Sequence, residues 1–347
     1  MRLSFMSGAI LFCLSYGICL AQPADKPSAA DQNAGSISNP QAVENAQPGN
    51  GNAVPSRELL TRVEILLDRA HFSPGEIDGK NGDNLKKAVA AYKHARNVPN
   101  PQAIDGALLK ALTDADHGSV LQKYTITAED EKGPFIGTVP KDFRALAKLK
   151  HVGYANPQEE LAEKFHMSPA LLRALNPGAD FSKAGTVLTV AKPNNGTLGG
   201  SVAQVQVDKT NEQVRAYDAS GKIVAAFPAT VGSTERPAPS GEATVVSVAP
   251  DPTYTYDPQR VTFGPKSAGK LKIAAGPNNP VGSTWIALSI ATYGIHGTPD
   301  PDLVGKTASH GCIRLTNWDA AALGKAVKKG TPVEFVGEEQ PKPGRRS

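Results

Sequence analysis

The sequence contains few cysteines, no large excess of one charge and no long apolar run after its first twenty residues. The cysteines are Cys13, Cys19 and Cys312. Because 37 Lys and Arg residues face 33 Asp and Glu residues, with no long basic run, the net charge of +4 does not predict nucleic-acid binding. Beyond residue 20 nothing approaches the ~18 consecutive apolar residues of a transmembrane helix, so we expect no stable membrane span.

The first 21 residues are typical of a secretory signal peptide. Arg2 precedes an apolar stretch that ends at Leu20, and Cys19 and Ala21 place small residues at the cleavage positions. We therefore expect residues 1–21 to be removed and the mature chain to be exported, in the periplasm or associated with the cell wall. Cleavage leaves Cys312 without a disulfide partner, and a lone thiol in an exported protein is either an inert core side chain or a reactive one.

The length of 347 residues and the changes in composition along it predict several domains. Residues 22–55 contain five prolines but no Leu or aromatic residue, so they predict a flexible linker. Between residues 56 and 116 apolar side chains recur at helical spacing. This pattern predicts a small all-α module of three helices, with helix caps at Ser56 and Asp105.

The chemistry-bearing part of the chain follows residue 201, where apolar residues begin to alternate with polar ones. The pattern of residues 202–337 predicts strands separated by turns rich in Gly and Pro, with one clear helix between Trp318 and Lys328. We expect a mostly-β domain of the sandwich or barrel type. Residues 338–347 would form a tail.

Two segments before this domain resemble wall-binding modules. The run LLDRAHFSPGEIDGKNGDNLKKAVAAYKHARNV resembles the peptidoglycan-binding-like module in its two helices and the Asp-Gly turn between them. A calcium loop starting at Asp78 is excluded, because Lys80 and Val89 stand where an EF-hand needs oxygen ligands.

The run LAEKFHMSPALLRALNPGADFSKAGTVLTV resembles the later part of a LysM carbohydrate-binding module, with a helix capped by Ser168 and a last strand at Val187–Val190. About thirty residues foreign to the LysM pattern precede it. Residues 124–191 are therefore either an α/β LysM-like region or a helical spacer without a sugar site.

The only thiol of the mature chain lies in a dense cluster of reactive residue types. His296 is followed, after twelve residues, by Ser309, His310, Gly311 and Cys312. An imidazole that takes the proton of a thiol leaves a nucleophilic thiolate, and the resulting ion pair lowers the pKa of the thiol. The backbone amides of Gly311 and Cys312 are candidate donors to an oxyanion.

This pattern resembles the L,D-transpeptidase (YkuD-type) catalytic domain, and the runs GPNNPVG, YGIHGT and GTPVEF at residues 276–282, 293–298 and 330–335 also fit that family. The resemblance implies that Cys312 is the nucleophile, that His296 is its base and later acid, and that the Gly297 carbonyl orients the imidazole. It further implies that Ser309, His310 and Gly311 shape the loop or assist the oxyanion. Two more residues, Arg314 and Tyr293, would bind the substrate.

The same resemblance implies the reaction. The thiolate attacks the carbonyl at the L-centre of diaminopimelate in a tetrapeptide stem, D-Ala departs, and the thioester passes to a second stem, to an attached protein or to water. The implied partners are peptidoglycan stem peptides and glycan, and no metal or organic cofactor is needed. The sequence leaves the acyl acceptor, the oligomeric state and any lid over Cys312 open.

Three other interpretations of these residues are weaker. His296, His310 and Cys312 lack the regular spacing of most zinc sites. Ser267 and Lys270 match the Ser-x-x-Lys motif of serine penicillin-binding enzymes, but its companion motifs are absent. A wall-binding protein with an inactive domain would not need the thiol and imidazole that are both present. The five remaining histidines, His166 among them, lie far in sequence from any thiol or acid cluster and are expected to be surface or packing residues.

Overall fold

The computed structural model describes residues 37, 39–49, 54–232, 236–259, 264–309 and 311–339. The expected signal peptide, His310 and residues 340–347 of the expected tail lie outside the described residues. All described residues belong to one compact unit, so the helical and mostly-β parts of the chain pack together.

The described part of the chain contains nine α-helices and twelve β-strands. The helices are α1 (Pro40–Asn45), α2 (Arg57–Arg69), α3 (Asp83–Arg96), α4 (Gly106–Ala115), α5 (Ala128–Lys132), α6 (Phe143–Leu146), α7 (Pro157–Lys164), α8 (Pro169–Leu175) and α9 (Asn317–Ala326). The strands are β1 (Leu121–Thr125), β2 (Val187–Ala191), β3 (Gln204–Asp208), β4 (Gln213–Tyr217), β5 (Ile223–Pro228), β6 (Gly241–Pro250), β7 (Tyr254–Tyr256), β8 (Leu271–Ile273), β9 (Thr284–Leu288), β10 (Gly294–His296), β11 (Ile313–Arg314) and β12 (Pro332–Val336). None of these helices is both long and apolar enough to cross a membrane.

The three predicted helices of the N-terminal module are confirmed as α2, α3 and α4. Both predicted caps form: the Leu59 amide donates to Ser56 Oγ at 3.2 Å, and the Leu108 amide donates to Asp105 Oδ1 at 2.9 Å. Each bond satisfies an amide that the first helical turn leaves without a partner.

Part of the segment expected to be a flexible linker is instead folded. Helix α1 places Val43 in the core of the helical module, where the side chain is fully buried. The Glu44 carboxylate accepts hydrogen bonds from the backbone amides of Val120 at 3.1 Å and Leu121 at 2.8 Å. The expectation is therefore wrong for residues 39–49. Composition did not reveal this because the two anchoring side chains stand alone in a polar stretch.

The region between residues 121 and 191 pairs its first strand with its last. Strands β1 and β2 are antiparallel, from Leu121 opposite Ala191 to Thr125 opposite Val187, and helices α7 and α8 lie between them in sequence. The predicted cap of α8 is confirmed, since the Leu171 amide donates to Ser168 Oγ at 3.1 Å. Outside the insertion, the short helix α5 and the helices α7 and α8 thus lie between the two strands in sequence, whereas sugar binding by this region stays a prediction.

The insertion, residues 133–155, attaches to the mostly-β domain. The amide of Val152 donates to the carbonyl of Ala275 at 2.9 Å, and the carbonyl of Val152 accepts from the amide of Asn278 at 3.1 Å. A Cβ at Gly276 would overlap the Val152 carbonyl, so only glycine allows this close approach. The residues that depart from the LysM pattern therefore dock on the domain that carries Cys312.

The mostly-β prediction for the C-terminal domain is confirmed. Eight of its ten described strands form one curled sheet in the order β11-β10-β9-β6-β12-β3-β4-β5, and β7 and β8 pair with each other separately. Just after β5, the amide of Thr230 donates to the carbonyl of Arg314 at 2.9 Å, and the amide of Arg314 donates to the carbonyl of Thr230 at 3.0 Å. These bonds join the two ends of the sheet in a barrel-like closure. The predicted helix is α9, with Thr316 as its cap.

The helical module is docked on this sheet. Residues 71–73 continue the ladder of β5, because the amide of Ala226 donates to the His71 carbonyl at 2.9 Å and its carbonyl accepts from Ser73 at 2.8 Å. Lys87 forms an ion pair with Glu212 at 3.0 Å across the same interface.

One histidine expected to be isolated lies in an acidic cluster. His166 is buried, and its Nδ1 lies 3.0 Å from Asp68 Oδ1 while its ring stacks on Trp318 at 4.9 Å. The expectation is wrong for this residue, because chain folding brings together groups that are distant in sequence.

Candidate active site

Cys312 and His296 line the same open cleft, whose volume is about 1300 Å³. Much of its wall comes from residues 139–146 of the insertion, residues 254–257 at the hairpin of β7, and residues 292–314 around β10 and β11. Glu159 and residues 236–239 and 278–285 complete the lining. Six of the predicted site residues line this cleft: Tyr293, His296, Ser309, Gly311, Cys312 and Arg314. Gly297 directly follows His296, and His310 is outside the described residues.

The pairing of β10 with β11 explains why the reactive groups share one face. The two strands are parallel, with Ile295 opposite Ile313 and His296 opposite Arg314. Both isoleucines are completely buried in the core. Because side chains alternate along a strand, the neighbours of Ile313 point to the other face, and so does His296. The sheet therefore presents Cys312, Arg314 and His296 to the cleft.

The His296 ring is fixed in one orientation and one tautomer. Its Nδ1 lies 2.6 Å from the Gly297 carbonyl. A carbonyl only accepts hydrogen bonds, so Nδ1 carries the proton and Nε2 keeps a free lone pair. The ring stacks on Trp285 at 5.5 Å, at an interplanar angle of 20°. The hydrogen bond that the family resemblance implied is therefore present, and it leaves Nε2 free to accept a proton.

The pKa of His296 is lowered to about 3, mainly by burial and further by the nearby positive charge of Arg314. The imidazole is therefore neutral throughout the neutral range. It can accept a proton, and it does not hold a stable positive charge in the resting protein.

Burial also raises the pKa of the Cys312 thiol above its usual value, against the opposing effects of a Gly294 backbone hydrogen bond and of Arg314. The resting cleft thus holds a neutral imidazole and a neutral thiol, and the thiol donates to the Thr292 carbonyl at 3.9 Å. The expectation that a thiolate–imidazolium pair lowers the pKa of this thiol is wrong, because the site is too buried to stabilise the imidazolium. Proton transfer must then accompany the attack on a substrate.

The thiol's raised pKa predicts how free Cys312 reacts with iodoacetamide. Only the thiolate is alkylated, so the rate should rise continuously between about pH 5 and pH 9 without an acidic plateau. Mass spectrometry of the alkylated protein measures this profile, with N-acetylcysteine as the control thiol. A plateau below about pH 7 would instead indicate an ion pair and contradict the neutral resting state.

Arg314 is held beside these two groups by its backbone bonds to Thr230 and by its pairing with β10. Burial lowers its pKa, while the charges of Asp300 and Cys312 favour its charged form. The guanidinium lies in the cleft wall. It can therefore pair with a carboxylate of a bound substrate, or with negative charge that develops at the sulfur.

The loop before Cys312 differs in one respect from the expected oxyanion site. The Gly311 amide donates to Ser309 Oγ at 3.2 Å, and Ser309 is buried with its own amide bonded to the Gly232 carbonyl at 2.8 Å. Gly311 has a φ of +124°, a conformation that favours glycine. The amide of Gly311 thus shapes the loop and is already engaged, which leaves Cys312 as the remaining predicted oxyanion donor.

Tyr293, the other predicted substrate-binding residue, lines the cleft and packs edge-on against Phe335 at 5.9 Å. Its buried hydroxyl has no hydrogen-bond partner within the described residues. Burial raises the pKa of this hydroxyl, so it stays protonated and can donate a hydrogen bond.

The sequence did not identify the aromatic wall that faces this site. Phe143 of the insertion stacks on Tyr256 at 4.7 Å, and Tyr254 lies 6.2 Å from Phe143. Both Phe143 and Tyr254 line the cleft. The one available signal was the thirty-residue departure from the LysM pattern, which indicated an insertion without showing where it docks.

Replacing Phe143 with alanine is expected to weaken substrate binding. The change removes a ring from the cleft wall and leaves the thiol and imidazole in place, so KM should rise about tenfold with little change in kcat. Steady-state kinetics on a tetrapeptide stem measure both constants. Phe143→Tyr, which keeps the stacked ring, should retain the wild-type KM. An unchanged KM in Phe143→Ala would show that the wall does not contact substrate.

The residues of the two rival motifs have other contacts. Ser267 Oγ accepts a hydrogen bond from Arg144 at 2.7 Å, and Lys270 pairs with Asp257 at 3.2 Å. No group of three or more His, Cys, Asp or Glu side chains in the described ranges is placed to hold a metal ion. His310 of the zinc interpretation lies outside those ranges.

Comparison with known proteins finds relatives that all carry the same family name. The family model of the YkuD L,D-transpeptidase catalytic domain matches residues 203–335. The putative L,D-transpeptidase YkuD of Bacillus licheniformis is 27% identical over 178 residues, which cover 51% of this chain and 92% of the relative. The probable L,D-transpeptidase YbiS of Escherichia coli K12 is 30% identical over 194 residues, which cover 54% of this chain and 62% of YbiS.

A putative L,D-transpeptidase of Fuscovulum blasticum is 30% identical over 37% of this chain and 67% of its own. Among solved structures, that of Mycobacterium tuberculosis L,D-transpeptidase 1 aligns with 43% of this chain and covers 66% of its own chain. The sequence identity is 21%, and the TM-score of 0.29 shows only limited structural similarity. The match of the catalytic domain and these relatives show that the chain belongs to the L,D-transpeptidase family, with a YkuD-type catalytic domain.

Proposed function

We propose that the protein is a cysteine-dependent L,D-transpeptidase that cross-links peptidoglycan stem peptides. The observation that supports this most directly is that one cleft holds both Cys312 and a neutral His296 whose Nδ1 is fixed by the Gly297 carbonyl. Both groups open onto a cleft large enough for a peptide. The family and its relatives support the same reaction class.

Acylation begins when a tetrapeptide stem places the carbonyl of its L-centre next to the thiol. The Cys312 sulfur attacks this carbon as its proton passes to His296 Nε2, and the carbonyl oxygen takes the negative charge. The carbon–nitrogen bond to the terminal D-Ala then breaks, and the leaving amine takes the proton back from Nε2. The product is a thioester on Cys312 and free D-Ala.

Deacylation repeats these steps with a new nucleophile. An amine of a second stem attacks the thioester while His296 removes its proton, and the sulfur departs and is reprotonated. Arg314 stabilises the sulfur as negative charge returns to it, or binds a carboxylate of a stem. The same thioester would yield a protein–wall linkage with a protein amine, and a trimmed stem with water.

The parts outside the catalytic domain would hold the enzyme on its substrate. An exported protein whose helical module or LysM-like region binds the polymer experiences a high local concentration of stem peptides. This would place the enzyme in the periplasm or at the cell wall, in keeping with the expected signal peptide.

The proposal is tested by incubating the mature protein with a purified tetrapeptide muropeptide. The expected result is a mass increase of the protein that corresponds to the stem without D-Ala, followed by cross-linked dimers in the muropeptide profile. Release of tripeptide stems alone would identify the trimming alternative. A protein that is never acylated would contradict the proposal, and activity lost on addition of EDTA would restore the zinc interpretation.

A further inference from the structure

Asn317, the first residue of α9, is buried behind the turn that carries His296. Its Oδ1 accepts a hydrogen bond from the Ser283 amide at 3.0 Å. Its Nδ2 donates to the Pro277 carbonyl at 3.1 Å and to Glu163 Oε1 at 2.8 Å. All the hydrogen-bonding groups of this amide are thus engaged in ways that fix its orientation.

The Asn317 amide touches the backbone that orients the imidazole. A Cβ built on Gly297 would overlap Asn317 Oδ1, and so would a Cβ on Gly282. These two glycines permit the Asn317 side chain to lie against the Gly297 peptide. Since the Gly297 carbonyl is the acceptor for His296 Nδ1, a shift of Asn317 moves the group that sets the tautomer of His296.

The group that holds Asn317 comes from outside the catalytic domain. Glu163 lies in α7, in the LysM-like region, and precedes residues 203–335 of the family match by about forty residues. Nearby, Asn278 donates to the Gly153 carbonyl at 3.0 Å and to Glu159 Oε1 at 2.8 Å, and these bonds fasten the same region to the loop at residues 276–282. The region before the catalytic domain therefore contacts both Asn317 and the loop to which Asn317 is bonded.

We propose that Asn317 is a positioning residue for His296, and that Glu163 of the preceding region holds Asn317 in place. The LysM-like region thereby contributes to the reaction rate as well as to any binding of the polymer. This inference rests on the proposed transpeptidase function, because it concerns the rate at which the thiol of Cys312 is acylated.

The proposal can be tested by exchanging the hydrogen-bond donor and acceptor between Asn317 and Glu163, because these substitutions hardly change the size of either side chain. Asn317→Asp keeps the acceptor for Ser283, but its carboxylate can donate neither to Glu163 nor to the Pro277 carbonyl, and it places two carboxyl groups together. A displacement of a catalytic group by about 1 Å can lower a rate ~100-fold. We expect kcat for acylation by a tetrapeptide stem to fall at least about tenfold in Asn317→Asp, with KM within about twofold of the wild type.

Glu163→Gln keeps an oxygen that accepts the hydrogen bond from Asn317, so kcat should remain within about threefold of the wild type. The Asn317→Asp/Glu163→Gln double variant restores a donor–acceptor pair with the direction reversed. Its kcat should recover at least about threefold over Asn317→Asp. Lys87→Met, which breaks the ion pair that fastens the helical module to the catalytic domain at Glu212, is the control and should retain the wild-type kcat.

The results separate this inference from the proposed function. A wild-type protein that is not acylated would contradict the transpeptidase function itself. If the wild type is acylated but Asn317→Asp is equally fast, or if the double variant is no faster than Asn317→Asp, the positioning role is wrong. An equal loss of kcat in Lys87→Met would indicate a general effect of loosening any part packed on the catalytic domain, and it would also contradict the positioning role.

Discussion

Replacing Cys312 with alanine is expected to abolish formation of the acyl-enzyme and to lower transpeptidation at least about 10⁴-fold. The Cys312 sulfur is the proposed nucleophile at the junction of β10 and β11, and alanine offers no atom that can form a thioester. Because Cys312 is half-buried and alanine is smaller, the fold should persist. Intact-mass measurement after incubation with a tetrapeptide stem or a carbapenem checks the adduct directly.

Cys312→Ser is the matched variant for this experiment. It keeps a nucleophilic atom of similar size, but a hydroxyl is far more weakly acidic than a thiol, and the neutral His296 is a weak base for it. We expect residual acylation far below that of the wild type. An adduct of wild-type yield in Cys312→Ala would falsify the nucleophile assignment.

Replacing His296 with alanine should lower the acylation rate about 10²- to 10⁴-fold, the usual contribution of a positioned base. In the wild type the imidazole is already neutral above its pKa of about 3, so the rate should be nearly constant from about pH 5 to pH 8. In His296→Ala the thiolate must form without a base. Since burial raises the pKa of Cys312, the rate of the variant should climb steadily with pH.

The measurement is the rate of thioester formation across this pH range, in the wild type and in His296→Ala. His94→Ala is the control, because His94 is an exposed histidine of α3 outside the cleft. A wild-type rate that falls to half near pH 6.5 would mean that His296 titrates as an ordinary exposed imidazole. That result would contradict the buried, neutral base described above.

Local signals in the sequence located most of the reactive groups. The motif predicted that His296 and Cys312 would lie near each other, and both line the same cleft. The polar residues Ser56, Asp105 and Ser168 identified three helix starts that the structure confirms. These features succeed because a helix cap and a short motif depend on neighbouring residues only.

The sequence could not reveal the features that depend on distant residues. Phe143 and Glu163 reach the active-site region only because the insertion and α7 dock on the catalytic domain, and no local pattern encodes that docking. The direction of the pKa shift of Cys312 was missed for a related reason. Burial decides it, and burial is a property of the assembled fold.

The bonds between Thr230 and Arg314 have a consequence for folding. They connect residues far apart in the chain, so their formation requires a large loop to close, and such contacts are slow to form. Strand β11 is two residues long and has little stability of its own before both neighbours are in place. The thiol and the imidazole should therefore come together late in folding, and a newly synthesised chain should become reactive only when the rest of its sheet is complete.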